Sequence, residues 1–177
     1  LTLGDHVLHV GRRAIDAVRR QTHPAIQIVV VDDGSTDGTA RYIRSLDERL
    51  SEGVAFRAVV QGRRGAAAAR NRGLEACEGA YVMFSDSDDV LRPDAARELV
   101  TALRSHGADV VCGGWRDAHI AEGRVRLGPP RSRPTAQDAV EQLLRLDGWS
   151  PNFCYLYRAR ALEGVRWDES LRVGQDM

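Results

Sequence analysis

Apolar residues recur along this chain in two alternating rhythms. Across residues 11–21, Ala14, Ile15 and Val18 keep helical spacing, and Thr22-His23-Pro24 then halts the helix, because proline and the residue before it resist continuing one. Residues 26–31 are a largely β-branched run, the mark of a strand covered on both faces. It gives way to Asp32-Asp33-Gly34-Ser35-Thr36-Asp37-Gly38, dense in turn and N-cap residues, after which Ile43, Leu46 and Leu50 return to helical spacing. Residues 54–60 predict a second strand, residues 62–65 a glycine-arginine loop, and residues 66–77 a helix closed by Gly79 as its C-cap. A third strand is expected over residues 81–84. The next helix has Pro93 at its first position, runs through Leu99 and Leu103 and stops at Gly107, before a fourth strand at 109–112. Alternation of this kind predicts an α/β fold: a wound, mostly parallel sheet with flanking helices.

After Cys112 the rhythm breaks. Residues 113–134 are rich in Gly, Pro and Arg and predict a mobile loop or a short hairpin. Thr135 caps an expected helix through Val140, Leu143 and Leu144, followed by a loop at 148–152, a short strand at 154–157 and a short helix at 159–164. The tail, residues 167–176, is acidic and aromatic. With no repeat, low-complexity tract or linker, residues 1–177 are expected to form one domain.

Charge and composition narrow the function. Basic and acidic residues balance at 25 each, so nothing points to nucleic acid. Every basic residue is Arg, which reads as coding bias rather than as a site. The 3 cysteines (Cys77, Cys112, Cys154) lack metal-ligand spacing and fit a reducing compartment, with Cys77 and Cys112 expected as buried small side chains. No run approaches the roughly 18 apolar residues of a membrane span, and no signal peptide is visible. The expected location is cytoplasmic, with any peripheral contact with the inner membrane face made through parts outside this chain. The chain starts at Leu1 and stops at Met177 soon after a motif-like stretch, and is expected to be a piece of a longer protein.

The candidate chemistry lies where strands end. Asp86-Ser87-Asp88-Asp89 packs carboxylates that repel one another unless a cation sits among them. Asp32-Asp33 ends another strand, and strand ends in such a sheet open onto one crevice. Clustered carboxylate oxygens suit Mg²⁺ or Mn²⁺, which commonly bind through one or two carboxylates plus substrate phosphates. Arg70, with Arg63 and Arg64 upstream, would offset phosphate charge, although a solvated loop accounts equally well for Arg63 and Arg64, and a plain exposed helix face for Arg70 and Asn71. Calcium loops fail on spacing: counted from Asp33 the twelfth position is Arg44 where Glu is needed, and from Asp86 the sixth is Leu91 where Gly is needed. The glycine-rich loops match neither the P-loop nor the dinucleotide fingerprint.

Read in order, Val29-Val30-Val31-Asp32-Asp33-Gly34-Ser35-Thr36-Asp37-Gly38-Thr39, then Gly65 through Arg70-Asn71-Arg72-Gly73, then Phe84-Ser85-Asp86-Ser87-Asp88-Asp89 strongly resemble the glycosyltransferase family 2 catalytic domain, of GT-A fold. The resemblance runs from about Ala14 to Met177. It implies an inverting transferase that takes a sugar from a nucleotide-diphosphate donor, a UDP-sugar by preference, and uses Mg²⁺ or Mn²⁺. It also implies a saccharide, lipid-linked or other hydroxyl acceptor, a role in cell-wall or polysaccharide biosynthesis, and a nucleotide-binding half of about residues 1–115 ahead of an acceptor half of about residues 116–177. By motif position Asp33, with Asp32, contacts the nucleotide, and Arg70 and Asp86 lie on the donor side. Asp86 and Asp88 form the D-x-D element, with Asp88 the direct metal ligand. Asp168 and Glu169 belong to the acceptor side, Trp149 falls in the acceptor half where it could stack on a sugar, and Asp176 stands where the family places its catalytic base.

The sequence departs from that pattern in three places. Leu3-Gly4-Asp5-His6 stands where the family has a strand ending in a Pro-x-x-Asn-like motif, so the first strand and the C-terminal part are expected to be missing. The Asn-x-Gly ahead of the Arg-Asn helix reads Arg63-Arg64-Gly65. The Glu-Asp pair reads Gln175-Asp176, and Gln175 cannot take a proton. Two other readings stay open: a sugar-nucleotide nucleotidyltransferase, which would release diphosphate from a nucleoside triphosphate and a sugar phosphate, and a non-catalytic nucleotide-binding module. Trp115 and Trp167 are expected as core, rim or sugar-stacking residues.

Overall fold

A computed structural model describes residues 6–49, 55–121, 124–132 and 151–171 of the chain. Helix α1 (His6–Arg19) leads into β1 (Gln27–Asp33), which pairs in parallel with β2 (Ala55–Gln61) in a register that sets Gln27 opposite Ala55 and Asp33 opposite Gln61. Between them runs α2 (Thr39–Arg49), its start ordered by Asp37, whose Oδ1 accepts bonds from the Thr39 amide (3.0 Å) and hydroxyl (2.6 Å). These elements share one core of Ile15, Ile43 and Leu46, with Val30 and Phe56 packed on it. Leu50, the last residue of that predicted spacing, lies outside the described residues.

Helix α3 (Ala66–Glu75) lies on β1 through small side chains: Ala67 and Ala68 are buried, and a Cβ at Gly73 would stand 3.4 Å from Val31. It ends at Glu75, two residues before the expected Cys77. Ala76, not Gly79, is the C-cap, its amide returning to the Gly73 carbonyl and the next amide, of Cys77, to that of Leu74. Strand β3 (Tyr81–Met83) follows, then α4 (Ala95–Ser105), which starts two residues later than Pro93 because Asp94 takes the cap position, and β4 (Val110–Cys112). Residues 113–134 resolve the loop-or-hairpin alternative: β5 (Ala118–Ala121) and β6 (Arg124–Leu127) pair antiparallel, with a bridge from Trp115 to Arg131 at their base.

The second sheet differs from the expected one. Strand β7 (Tyr155–Arg158) inserts between β3 and β4 and pairs antiparallel with both. Strands β3 and β4 therefore run the same way without touching, and β1–β2 is the parallel pair among the described residues. Leu156 of β7 joins Val100 and Leu103 in a second core, which explains why a four-residue strand so late in the chain becomes central. Cys112 is exposed rather than buried; Cys154 is buried, and burial pushes its thiol up to about 12. The helix expected after Thr135 lies outside the described residues.

Strands β1 and β3 face each other across a cavity of about 430 Å³. Consecutive residues 26–33 and 79–87 line it. A sheet face would show alternate residues, so the cavity runs along the two strand edges. Among the described residues no strand pairs with either edge. Helix α1 closes one side through Ala14, Ile15 and Val18, and Gln21 ties its end to the loop beyond β3, donating to the Arg92 carbonyl (2.6 Å) and accepting from the Ala96 amide (2.9 Å). No helix among the described residues is long and apolar enough to cross a membrane.

Candidate functional site

Both acidic strand ends open onto this cavity, which Asp32, Asp33 and Asp86 help to line. At the end of β1 the carboxylate of Asp33 is buried and fully engaged: Oδ1 accepts from the Gln61 side chain (2.8 Å) and the Arg64 amide (2.8 Å), and Oδ2 from the Gly65 amide (2.7 Å). Burial works to raise this group, but the three donated bonds outweigh it and hold Asp33 below the usual carboxylate range. The turn after it presses on the same loop. Gly34 has a φ of 77°, and a Cβ there would stand 2.8 Å from the Arg63 nitrogen, so only glycine fits. Asp32 is buried as well. Its Oδ2 accepts from the Ser35 amide (3.3 Å), while Oδ1 finds no donor among the described residues.

The end of β3 is built differently. Asp86 and Asp89 close a small turn, with the Asp86 amide donating to Asp89 Oδ2 (3.0 Å) and the Asp89 amide to the Asp86 carbonyl (3.2 Å). Arg70 reaches across from α3, its Nη2 lying 3.2 and 3.4 Å from the two Asp86 oxygens. Burial, with the charges of Asp86 and Asp88 adding to it, pushes Asp89 up to about 7. Asp88 is exposed and makes no hydrogen bond or ion pair among the described residues.

Helix α3 joins these two ends. Its N-terminal Gly65 amide binds Asp33, Arg70 binds Asp86, and Asn71, buried, turns to the tail. Asn71 Oδ1 accepts from the Trp167 amide (2.8 Å), while Nδ2 donates to the Trp167 carbonyl (3.0 Å) and to Glu169 Oε1 (3.1 Å). Glu169 Oε2 in turn accepts from Arg64 (2.7 Å). The Trp167 ring meets Phe84 edge-on, centroids 4.7 Å apart, immediately before the Ser85–Asp89 turn.

Of the residues singled out from sequence, Asp32, Asp33, Arg70 and Asp86 come together at the cavity. Arg70 pairs with a carboxylate, a task beyond the expected one of offsetting phosphate. Arg64 is exposed, as a solvated loop would have it, but pairs with Glu169, which sits against the β2–α3 loop. Asp168 accepts from the Ser170 hydroxyl (2.7 Å) and amide (2.8 Å) in an exposed local turn, and those bonds lower its carboxyl. Trp149, Gln175 and Asp176 lie outside the described residues. Sequence reasoning passed over Gln61 and gave Asn71, within its small-residue helix, no partner, with a plain exposed helix face as the alternative. The signal for Asn71 was its spacing: four after Ala67 and three after Ala68, it shares the buried face of α3, where an amide needs partners.

Among the described residues no three Asp, Glu, His or Cys side chains converge into a ready-made metal cage. The donor set still fits a divalent ion. Asp88, without a partner among the described residues, stands beside two crowded carboxylates, one of them driven toward its neutral form, and a Mg²⁺-like ion draws its other ligands from phosphates and water.

A family model described as Glycosyl transferase family 2 matches residues 10–165. Among curated proteins, Glycosyltransferase GlyA of Streptococcus pneumoniae serotype 4 is 34% identical, the match covering 93% of this chain and 25% of that protein. Succinoglycan biosynthesis protein ExoO of Rhizobium meliloti is 30% identical, covering 93% of this chain and 49% of its own. The chain thus spans half or less of the length of these relatives. Among solved structures, S. aureus TarS 1-349 in complex with UDP has a TM-score of 0.68 at 22% identity, covering 93% of this chain and 48% of TarS 1-349. Mannosyltransferase PcManGT from Pyrobaculum calidifontis, in complex with GDP-Man and Mn2+, has a TM-score of 0.66 at 22% identity, covering 99% and 47%. That likeness establishes the α/β architecture as GT-A. By sequence and by fold, the chain belongs to glycosyl transferase family 2.

Proposed function

We propose that this chain carries the donor-binding and catalytic core of an inverting, metal-dependent glycosyltransferase acting in polysaccharide or cell-wall biosynthesis. The observation that carries the proposal is the pair of acidic strand ends on one cavity, tied to a single helix through Asp33–Gly65 and Arg70–Asp86. Asp32 Oδ1, buried and without a donor among the described residues, is the acceptor offered to the nucleotide's N–H groups, and Asp33 holds the 61–65 loop beside it. Asp88, with Asp86, holds Mg²⁺ or Mn²⁺. When bound, that ion neutralises the charge that grows on the departing diphosphate. Arg70 is set to share that charge.

In the reaction, the acceptor hydroxyl oxygen attacks the anomeric carbon from the face opposite the nucleotide. The bond from that carbon to the diphosphate oxygen breaks, its electron pair leaving with the nucleoside diphosphate. The hydroxyl proton passes to a carboxylate on the acceptor side, for which Asp176 is the proposed base. Relatives named for succinoglycan and teichuronic acid biosynthesis support a saccharide or lipid-linked acceptor, and TarS with UDP and PcManGT with GDP-Man support a nucleotide-sugar donor.

Titration calorimetry of UDP into the protein with Mn²⁺, and again with EDTA, tests the reading. Metal-dependent binding that is lost in Asp88→Ala supports it. A folded protein that binds neither UDP nor GDP with Mn²⁺ present overturns it.

A further inference from the structure

The tail that follows β7 is held to α3 by one side chain. Asn71 bonds both the amide and the carbonyl of Trp167, 96 residues away, and a third bond reaches Glu169. The amide of Asn71 has one orientation that makes all three bonds, and the side chain is buried, so it has no water to fall back on. The held segment touches the site at two points. The Trp167 ring packs on Phe84 at 4.7 Å, just ahead of the turn that carries Asp86 and Asp88, and Glu169 pairs with Arg64, whose own amide binds Asp33. The neighbour of Asn71 in α3, Arg70, grips Asp86 directly. A closed circuit results: α3 holds the acidic turn through Arg70 on one side and through Asn71, Trp167 and Phe84 on the other.

We infer that Asn71 is a positioning residue for the transfer reaction, setting the Trp167–Glu169 segment, and through Phe84 the Asp86–Asp88 turn, against the nucleotide end of the crevice. This rests on the glycosyltransferase reading above. It also assigns Glu169 to the donor-side loop rather than to acceptor chemistry, since one of its oxygens takes the Asn71 donor and the other the Arg64 guanidinium. Asn71 itself touches neither Asp33 nor Asp88, so it acts on geometry and not on binding.

The test is turnover of UDP-GlcNAc and GDP-mannose in the complete protein, read as nucleoside diphosphate release, beside calorimetry of UDP and GDP with Mn²⁺. Asn71→Ala is expected to lower turnover by roughly 10²-fold, the cost of misplacing reacting groups by about 1 Å, while nucleotide affinity stays within about twofold. Asn71→Asp keeps the acceptor for the Trp167 amide but loses the donors and faces the Glu169 carboxylate. It is expected to lose turnover, and adding Glu169→Gln, which supplies a donor across the pair, to recover much of it. That rescue separates positioning from loss of folding even where Asn71→Ala is poorly stable. Wild-type turnover in Asn71→Ala, or equal loss of nucleotide affinity and turnover, overturns the inference. Absence of nucleotide binding by the wild-type protein would instead overturn the glycosyltransferase reading.

Discussion

Asp32-Asp33 and Asp86-Ser87-Asp88-Asp89 have the same chemistry, the same place at the end of a strand and the same cavity before them, yet the protein treats them in opposite ways. At Asp33, two backbone amides and a side-chain amide converge on one buried carboxylate and hold it ionised. At Asp89, burial and two neighbouring carboxylates push the group up to about 7, and among the described residues Arg70 is the cation paired with Asp86. Asp33 is satisfied by its own fold, so its carboxylate builds a loop. The second end carries charge that the described residues leave partly uncompensated. Like sequences thus end in unlike electrostatic states, set by the donors that each carboxylate meets.

The largest effect expected from breaking this contrast is at Asp88. Asp88→Ala should cut sugar-nucleotide turnover by about 10²-fold or more, as loss of a preorganised charge clamp does, with little change in melting temperature. Asp33→Ala should act the other way round. Leaving the Arg64 and Gly65 amides unpaired should cost about 2–4 kcal/mol of stability, measured by urea unfolding, and nucleotide affinity should follow the loop. Gly34→Ala, forced into φ 77° against the Arg63 backbone, should cost about 1–3 kcal/mol in the same assay.

The two ends should also answer pH with opposite slopes in metal-free protein. The folded pKa of Asp33 lies below the unfolded one. Its contribution is therefore present above pH ~4 and lost as pH falls through the folded value, and Asp33→Asn should flatten that acid limb. Asp89 is raised, so its contribution is complete below pH ~4 and is lost as pH rises through about 7; Asp89→Asn should remove that decline in thermal melts between pH 5 and 8. The smallest effect belongs to Arg64–Glu169. Both side chains are substantially exposed, so a double-mutant cycle should give a coupling below about 1 kcal/mol.

Much of the fold was legible because its signals are local. Proline at 24, the β-branched run into Asp32 and the small-residue helix after Gly65 each act through neighbours in sequence, and the α/β rhythm up to Cys112 followed from them. Errors there were of a turn or less, as at Gly79 and Pro93, where Ala76 and Asp94 stand at the caps instead. The insertion of β7 between β3 and β4 was not legible. Tyr155–Arg158 is four residues with no pattern to name its partners, and Leu156 becomes central only by packing against Val100 and Leu103.

The site divides along the same line. Sequence alone determined which carboxylates end strands and the family to which they point, since motif order and spacing are properties of the chain. Tertiary structure decided what each carboxylate does. Gln61 meets Asp33 through a strand register, Arg70 meets Asp86 across a helix, and Asn71 meets Trp167 over 96 residues. Hydrogen bonds and charge act over a few ångströms, so a group's state depends on neighbours in space that its neighbours in sequence do not name.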